Sequence, residues 1–217
     1  MGAIARSAAN NITTAGVFTP SALNSSSVTG ITVLANASDG ITLISSQTAS
    51  NSASLSFTSG LDSTYKAYKF VFSNIHARTD SVMFQFNLST DSGSNYNVTK
   101  TTGFFNATHD EADTATNLAY KTGSDLAEST DFQFLNQDGD LSSDADHSLL
   151  GSMSLFNPAS TTYVKHFIAV TQNNHPADYT ANNFIAGYGN TTSAVNAVQF
   201  KMSSGNMDGT IYLYGIK

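Results

Sequence analysis

Asn136-Gln-Asp138-Gly-Asp140, followed by Asp144, Asp146 and His147, crowds carboxylates into near-alternate positions. Loops that hold hard cations do the same, because Ca²⁺ and Mg²⁺ need several oxygens converging on one point. The glycine comes early and no Glu closes the loop, so the spacing departs from an EF-hand. An acidic surface loop shaped by Asx turns is the plainer expectation. A Ca²⁺ or Mg²⁺ site at Asp138, Asp140 and Asp144 is the weaker one, and no other cofactor is expected. The histidines His76, His109, His147, His166 and His175 are dispersed, with no pair at metal-helix spacing. They read as structural side chains, His166 as a partly buried, hydrogen-bonded one in a strand.

Ser, His and Asp are abundant enough for a nucleophilic triad, yet no Gly-x-Ser-x-Gly elbow occurs. Gly123-Ser-Asp-Leu126 resembles a hydrolase box only superficially, since its flanks are polar loop. A glycosidase needs two acids flanking the scissile bond, and the only glutamates, Glu111 and Glu128, fall in an irregular stretch. No phosphate-cradling glycine loop is present. The expectation is no enzyme. Tyr179 and Tyr188 have loop-like surroundings and could stack on sugar rings, with structural or inter-subunit packing as the plainer role.

Charge narrows the partners. A net charge of −7, with nine Lys and Arg scattered along the chain, does not build the cationic stripe that phosphates require. Nucleic acid and anionic membrane surfaces are therefore not expected partners. There is no cysteine, hence no disulfide framework. No apolar run suits a signal peptide or a membrane span, and with the low charge, the Ser/Thr/Asn richness and the lack of cysteine this fits a protein expected to be made in a bacterial cytoplasm and later exposed outside a cell.

These residues have to be positioned by strands. Charged residues are 12% of the chain, about half the usual share, while Ser, Thr and Asn number 30, 26 and 20. Such side chains favour turns and strands over helix interiors. Tyr68, Phe70 and Phe72 alternate with Lys69, Val71 and Ser73; Val82, Phe84, Phe86 and Leu88 alternate with Met83, Gln85, Asn87 and Ser89. Period two over this length predicts half-buried antiparallel strands. Further strands are predicted at 31–34, 41–44, 53–57, 131–135, 149–156, 163–171, 184–188, 194–202 and 210–216, most of them bounded by Gly, Asn, Asp or Pro. Residues 94–129 lack regular alternation apart from a short strand expected near 118–121, so they read as a functional loop or as structure that the pattern hides. The expected fold is all-β: an antiparallel two-sheet sandwich, jelly-roll-like, over residues 31–217, with 31–52 as a short linking hairpin.

Residues 1–30 are apolar-poor and aperiodic, so they gain order only by lying on a folded surface, either that of their own domain or, the favoured expectation, that of a neighbouring subunit. They are expected to form an extended anchoring arm, with Ile4, Arg6, Ile12, Val17 and Phe18 as its contacts on a neighbouring subunit.

Two stretches carry a resemblance: Leu55-Ser-Phe-Thr-Ser-Gly-Leu-Asp-Ser-Thr-Tyr-Lys-Ala-Tyr-Lys-Phe-Val-Phe-Ser-Asn-Ile-His76, continuing to Phe84-Gln-Phe86 and Ser94-Asn-Tyr96, and the terminal Gly209-Thr-Ile-Tyr-Leu-Tyr-Gly-Ile-Lys217. This block is similar to virion proteins of marine podovirus-like bacteriophages assigned to tail fibres, tail tips or head decorations. The resemblance implies a non-enzymatic virion component and supplies no catalytic residues. Combined with few lysines to blunt strand edges, it leads to an expected homotrimer that contacts coat or tail subunits. A host-glycan-binding sandwich, receptor-binding or a carbohydrate-binding module, is the alternative.

Overall fold

The structure, a computed structural model, describes residues 40–137 and 141–217. The expected arm contacts Ile4, Arg6, Ile12, Val17 and Phe18, the strand expected at 31–34, and Asp138 and Asp140 lie outside the described residues. Among the described residues every regular element is a strand: β1 (Ile41–Ser52), β2 (Leu55–Phe57), β3 (Ala67–Ala77), β4 (Phe84–Ser89), β5 (Lys100–Asp110), β6 (Thr116–Tyr120), β7 (Gln133–Phe134), β8 (Leu149–Phe156), β9 (Lys165–His175), β10 (Tyr179–Gly189), β11 (Ala197–Met202) and β12 (Met207–Ile216).

They form two antiparallel sheets, ordered β1-β12-β3-β8-β9-β10-β5-β6 and β2-β11-β4-β7. The pairing is nested. First strand lies against last, β1 on β12, and second against second-last, β2 on β11. β3 then fits between β12 and β8, and β4 between β11 and β7. Without the hairpins β5–β6 and β9–β10, the remaining strands are a jelly roll of two four-stranded sheets. The two hairpins extend one sheet to eight strands by laying β9, β10, β5 and β6 beyond β8.

The core grows directly from the alternation. Tyr68, Phe70 and Phe72 of β3 point inward with Ile211 and Leu213 of β12, all at most 2% exposed. Phe200 of β11 is the hub. Its ring lies 5.1 Å from Phe70, 5.3 Å from Phe72, 5.8 Å from Phe84 and 6.2 Å from both Phe57 and Phe86. Such aromatic contacts contribute roughly 0.5–1.5 kcal/mol each beyond simple burial. Buried Tyr68 keeps its hydroxyl satisfied by donating to the Asp62 carbonyl at 2.9 Å.

Several expectations need correction. β4 is buried on both faces, not one. Asn87 on its second face donates to the carbonyls of Tyr96 and Thr130, at 2.7 and 2.9 Å, so connecting segments cover the side expected to meet water. The supposedly irregular 94–129 contains β5, which pairs with β10 in unbroken register from Lys100↔Gly189 to Asp110↔Tyr179; β6 lies where a short strand is expected near 118–121. Tyr179 and Tyr188 are not in loops; both belong to β10. Residues 41–52 form the edge strand of the large sheet, paired with β12.

Glycine is required at one register shift. Between Asp208 and Thr210 the β3–β12 ladder slips, and Gly209 takes φ +119°, where a Cβ would stand 2.5 Å from the Asn74 carbonyl oxygen. An L side chain fits neither the angle nor the space.

Candidate functional site

The added strands present a broad outer face. Register aligns Tyr120, Phe105, Phe184, Val170 and Ser152 in one row across β6, β5, β10, β9 and β8. One row along lie Gly103, Ala186, Ile168 and Ser154; beyond them lie Thr101, Tyr188 and His166. On the other side lie Leu118, Ala107, Asn182, Gln172 and Leu150. Phe105 and Phe184 stack at 5.0 Å with planes 10° apart and form a ridge. Beside it a trough runs between Phe156, His166, Ile168, Ala186 and Tyr188. These rows contain no Asp, Glu, Lys or Arg. Leu118, Tyr120, Phe105, Leu150, Ile168, Val170 and Phe156 are exposed, Leu118 at 72%. His166 is exposed too, against the expectation of partial burial.

The inner face of the same strands is unusually polar. Phe104, Phe167, Ala169 and Ile185 share it with Lys100, Thr102, Asn106, Lys165, Thr171, Asn173 and Asn183, all buried. Lys100 Nζ donates to Asn87 Oδ1 at 2.5 Å and to the Val98 carbonyl at 2.8 Å. Desolvation pulls this amine down to about 7, against the opposing pull of Asp131. Lys165 Nζ donates to the carbonyls of Tyr163 (2.6 Å) and Thr191 (3.2 Å), and burial lowers it as well. Thr102 donates to Gln133 Oε1 at 2.6 Å, and Gln133 donates onward to the Ser124 carbonyl at 2.8 Å. Hydrogen-bonded groups fill space where a sandwich usually places apolar ones.

Residues 141–147 of the acidic loop are held by local ties and by distant ones: the Ser143 amide and hydroxyl both donate to Asp80 Oδ1 at 2.8 Å, and His76 Nδ1 lies 2.7 Å from the His147 carbonyl oxygen. Ser142 Oγ and His147 Nδ1 are 2.6 Å apart, and Ser142 also donates to Asp144 Oδ2 at 3.2 Å. The His147 amide donates to the Asp144 carbonyl at 3.0 Å, closing the turn. Asp146 Oδ1 stands 4.0 Å from His147 Nε2. Among the described residues no three His, Asp or Glu side chains are placed to hold a metal ion. Asp144 is engaged by Ser142 and His147. The Ser–His–Asp grouping was not legible from spacing alone; Ser142 is only 4% exposed, which closes this conformation to an incoming carbonyl.

Elsewhere the candidates resolve into turns. Asp110 caps the β5–β6 turn, accepting from the Thr114 hydroxyl at 2.5 Å and from the amides of Ala115 and Thr114 at 2.8 and 2.9 Å, and these bonds, the hydroxyl's foremost, hold its carboxyl below the usual range. His109 Nε2 meets Asp113 Oδ1 at 3.1 Å in the same turn. The Glu111 amide donates to the Asp178 carbonyl at 2.8 Å, tying the β5–β6 turn to the β9–β10 turn. Ser124 of the Gly-Ser-Asp-Leu run lies buried, its amide donating to the Lys121 carbonyl at 3.0 Å.

Tyr179 and Tyr188 cannot serve one ligand ring. They sit nine positions apart on β10, roughly 30 Å along an extended strand and, the interval being odd, on opposite faces. Tyr188 borders the outer trough 6.0 Å from His166. Tyr179 stacks on His175 at 3.9 Å across the hairpin end.

No family model matches the chain, and no curated protein matches it.

Proposed function

We propose that this chain is a non-enzymatic bacteriophage virion surface protein, of capsid-decoration or tail-fibre type, that works as a homotrimer held to coat or tail subunits by residues 1–30. The observation that supports it best is the apolar outer face of β8, β9, β10, β5 and β6, whose aligned rows hold no Asp, Glu, Lys or Arg, on a chain carrying −7 overall. Monomeric proteins rarely expose contiguous apolar area beyond a few hundred Å² unless something docks there. The segments resembling phage virion proteins build β2, β3 and β12, the frame of the jelly roll.

Immunogold labelling and mass spectrometry of particles purified from the encoding phage test this reading. The chain should be a stoichiometric component on the particle surface, and its absence from washed particles would sink the idea. Removing residues 1–30 should leave the sandwich folded but release the protein from particles; normal incorporation would refute the anchoring role.

A second reading, capture of a host glycan, draws on the trough between Phe156, His166 and Tyr188. Flat aromatic edges beside a shallow groove suit a sugar ring. A glycan array with the Tyr188→Ala variant as control decides it: no signal, or signal unchanged by the substitution, rejects this reading.

A further inference from the structure

We infer that the outer face of β8, β9, β10, β5 and β6 is the contact surface for a second copy of this chain. The inference deepens the assembly reading above and rests on it.

Sidedness is the first argument. In an ordinary sandwich sheet the apolar side chains point inward and the polar ones outward. Here the extension buries two lysines and several amides on its inner side, while Phe105, Phe184, Ile168, Val170, Leu118 and Tyr120 face out. Hydrophobic stabilisation left unrealised by the inner face is available on the outer one.

Charge selects the partner. Two copies, each at −7, repel wherever their carboxylates meet, and the cost of a self-contact is least where a surface has no charge. The four rows of the outer face hold no Asp, Glu, Lys or Arg, and the nearest charges stand at its margins, Asp125 beside Tyr120 and Lys69 beside Ser154. A strongly charged partner would find no opposite charge there to orient it.

Size and relief agree. Rows about 6.8 Å apart on strands about 4.8 Å apart span roughly 20 by 20 Å, and side-chain margins bring the projected area to on the order of 600 Å². Corrugation raises the accessible area toward the ~800 Å² per partner of a standard stable interface. The Phe105–Phe184 ridge lies beside the trough floored by Ala186 and Ile168, so the ridge of one copy fits the trough of the next. Ridge and trough share one face, so two copies can satisfy both contacts about a two-fold axis, and a head-to-tail repeat makes a ring where its rotation closes. β6 adds an edge: among the described residues its one partner strand is β5, and it carries no charged residue or proline to discourage further pairing.

Sedimentation equilibrium on the full chain, over a wide concentration range, provides the test. The wild type should have a multiple of the 22.9 kDa chain mass. Ile168→Asp combined with Phe105→Asp should reduce that mass to a single chain with an unchanged far-ultraviolet circular dichroism spectrum. Leu43→Asp, on exposed β1 at the opposite edge, should leave the mass of the wild type. A wild type that stays monomeric up to about 100 µM overturns the inference, as does a double variant that still assembles. A monomer that assembles once residues 1–39 are removed assigns the face to the leader, and a monomer whose face is protected from hydrogen exchange only by host oligosaccharide assigns it to a glycan; either overturns the inference. A dimer in place of a trimer upholds the face and corrects the proposed copy number. A monomeric chain found on particles fails the face alone; an assembled chain missing from particles fails the virion reading alone.

Discussion

The ammonium nitrogen of Lys100 on β5 stands 2.5 Å from the side-chain oxygen of Asn87 on β4, in a fully buried position, with the Val98 carbonyl as its second acceptor. A lysine so placed joins the extended half of the large sheet to the small one. It also makes stability depend on alkali.

Burial sets the folded amine to about 7, whereas the unfolded chain titrates near 10.5. Between these values the unfolded state binds more protons, so stability rises with pH across that window. Lys165 is shifted the same way. Tyr68 opposes both above pH 10, because burial raises its phenol and the unfolded state then loses protons more readily. The midpoint of urea unfolding should therefore climb from pH 7 to about pH 10 and turn down above it. Lys100→Met should flatten the climb; a midpoint independent of pH in the wild type would contradict the burial of this amine.

Acid should act through turn carboxylates. Hydrogen bonds from Asn95 and Ser89 lower Asp91 to about 2. Asp62, Asp80, Asp110 and Asp208 are lowered as well, the last by Arg78 and the Asn51 amide. Depressed carboxylates give stability that is present above their unfolded pKa and lost as pH falls through the folded one. Thermal midpoints should fall steadily from about pH 4 toward pH 2. In Asp91→Asn the decline should be shallower; an identical slope would remove Asp91 from the account.

Phe200→Ala removes a ring that meets five others. Large-to-small changes at such sites cost about 3–5 kcal/mol, from lost transfer energy plus the residual cavity. Equilibrium urea unfolding measures this directly. A loss under about 1 kcal/mol would mean that the core around β11 is looser than its ring geometry shows.

Gly209→Ala should cost about 1–3 kcal/mol, because positive φ and the nearby Asn74 carbonyl both exclude a methyl group. Gly40→Ala is the matched control, since a Cβ there meets nothing within 4 Å. Differential scanning calorimetry should separate the two; equal midpoints would show that the β3–β12 slip relaxes at little cost.

The strands that were legible are those whose two faces differ in chemistry. Tyr68, Phe70 and Phe72 against Lys69, Val71 and Ser73 mark β3 by local alternation alone, and 149–156 coincides with β8 for the same reason. β5 was hidden because Phe104 and Phe105 are adjacent, one per face, and its inner positions include Lys100, Thr102 and Asn106. The both-sided burial of β4 was hidden because Asn87 and Ser89 look like solvent residues until the segments that accept their hydrogen bonds fold over them.

The amino-acid order by itself determined an acidic, helix-poor chain whose side chains alternate, because composition and period two are properties of a few consecutive residues. Tertiary structure alone decided that Tyr120, Phe105, Phe184 and Val170, drawn from four separate strands, lie side by side, and that Tyr179 and Tyr188 do not. Strand adjacency is the outcome of pairing between distant segments, which compete through burial and hydrogen bonding across the whole molecule. No local window contains that competition.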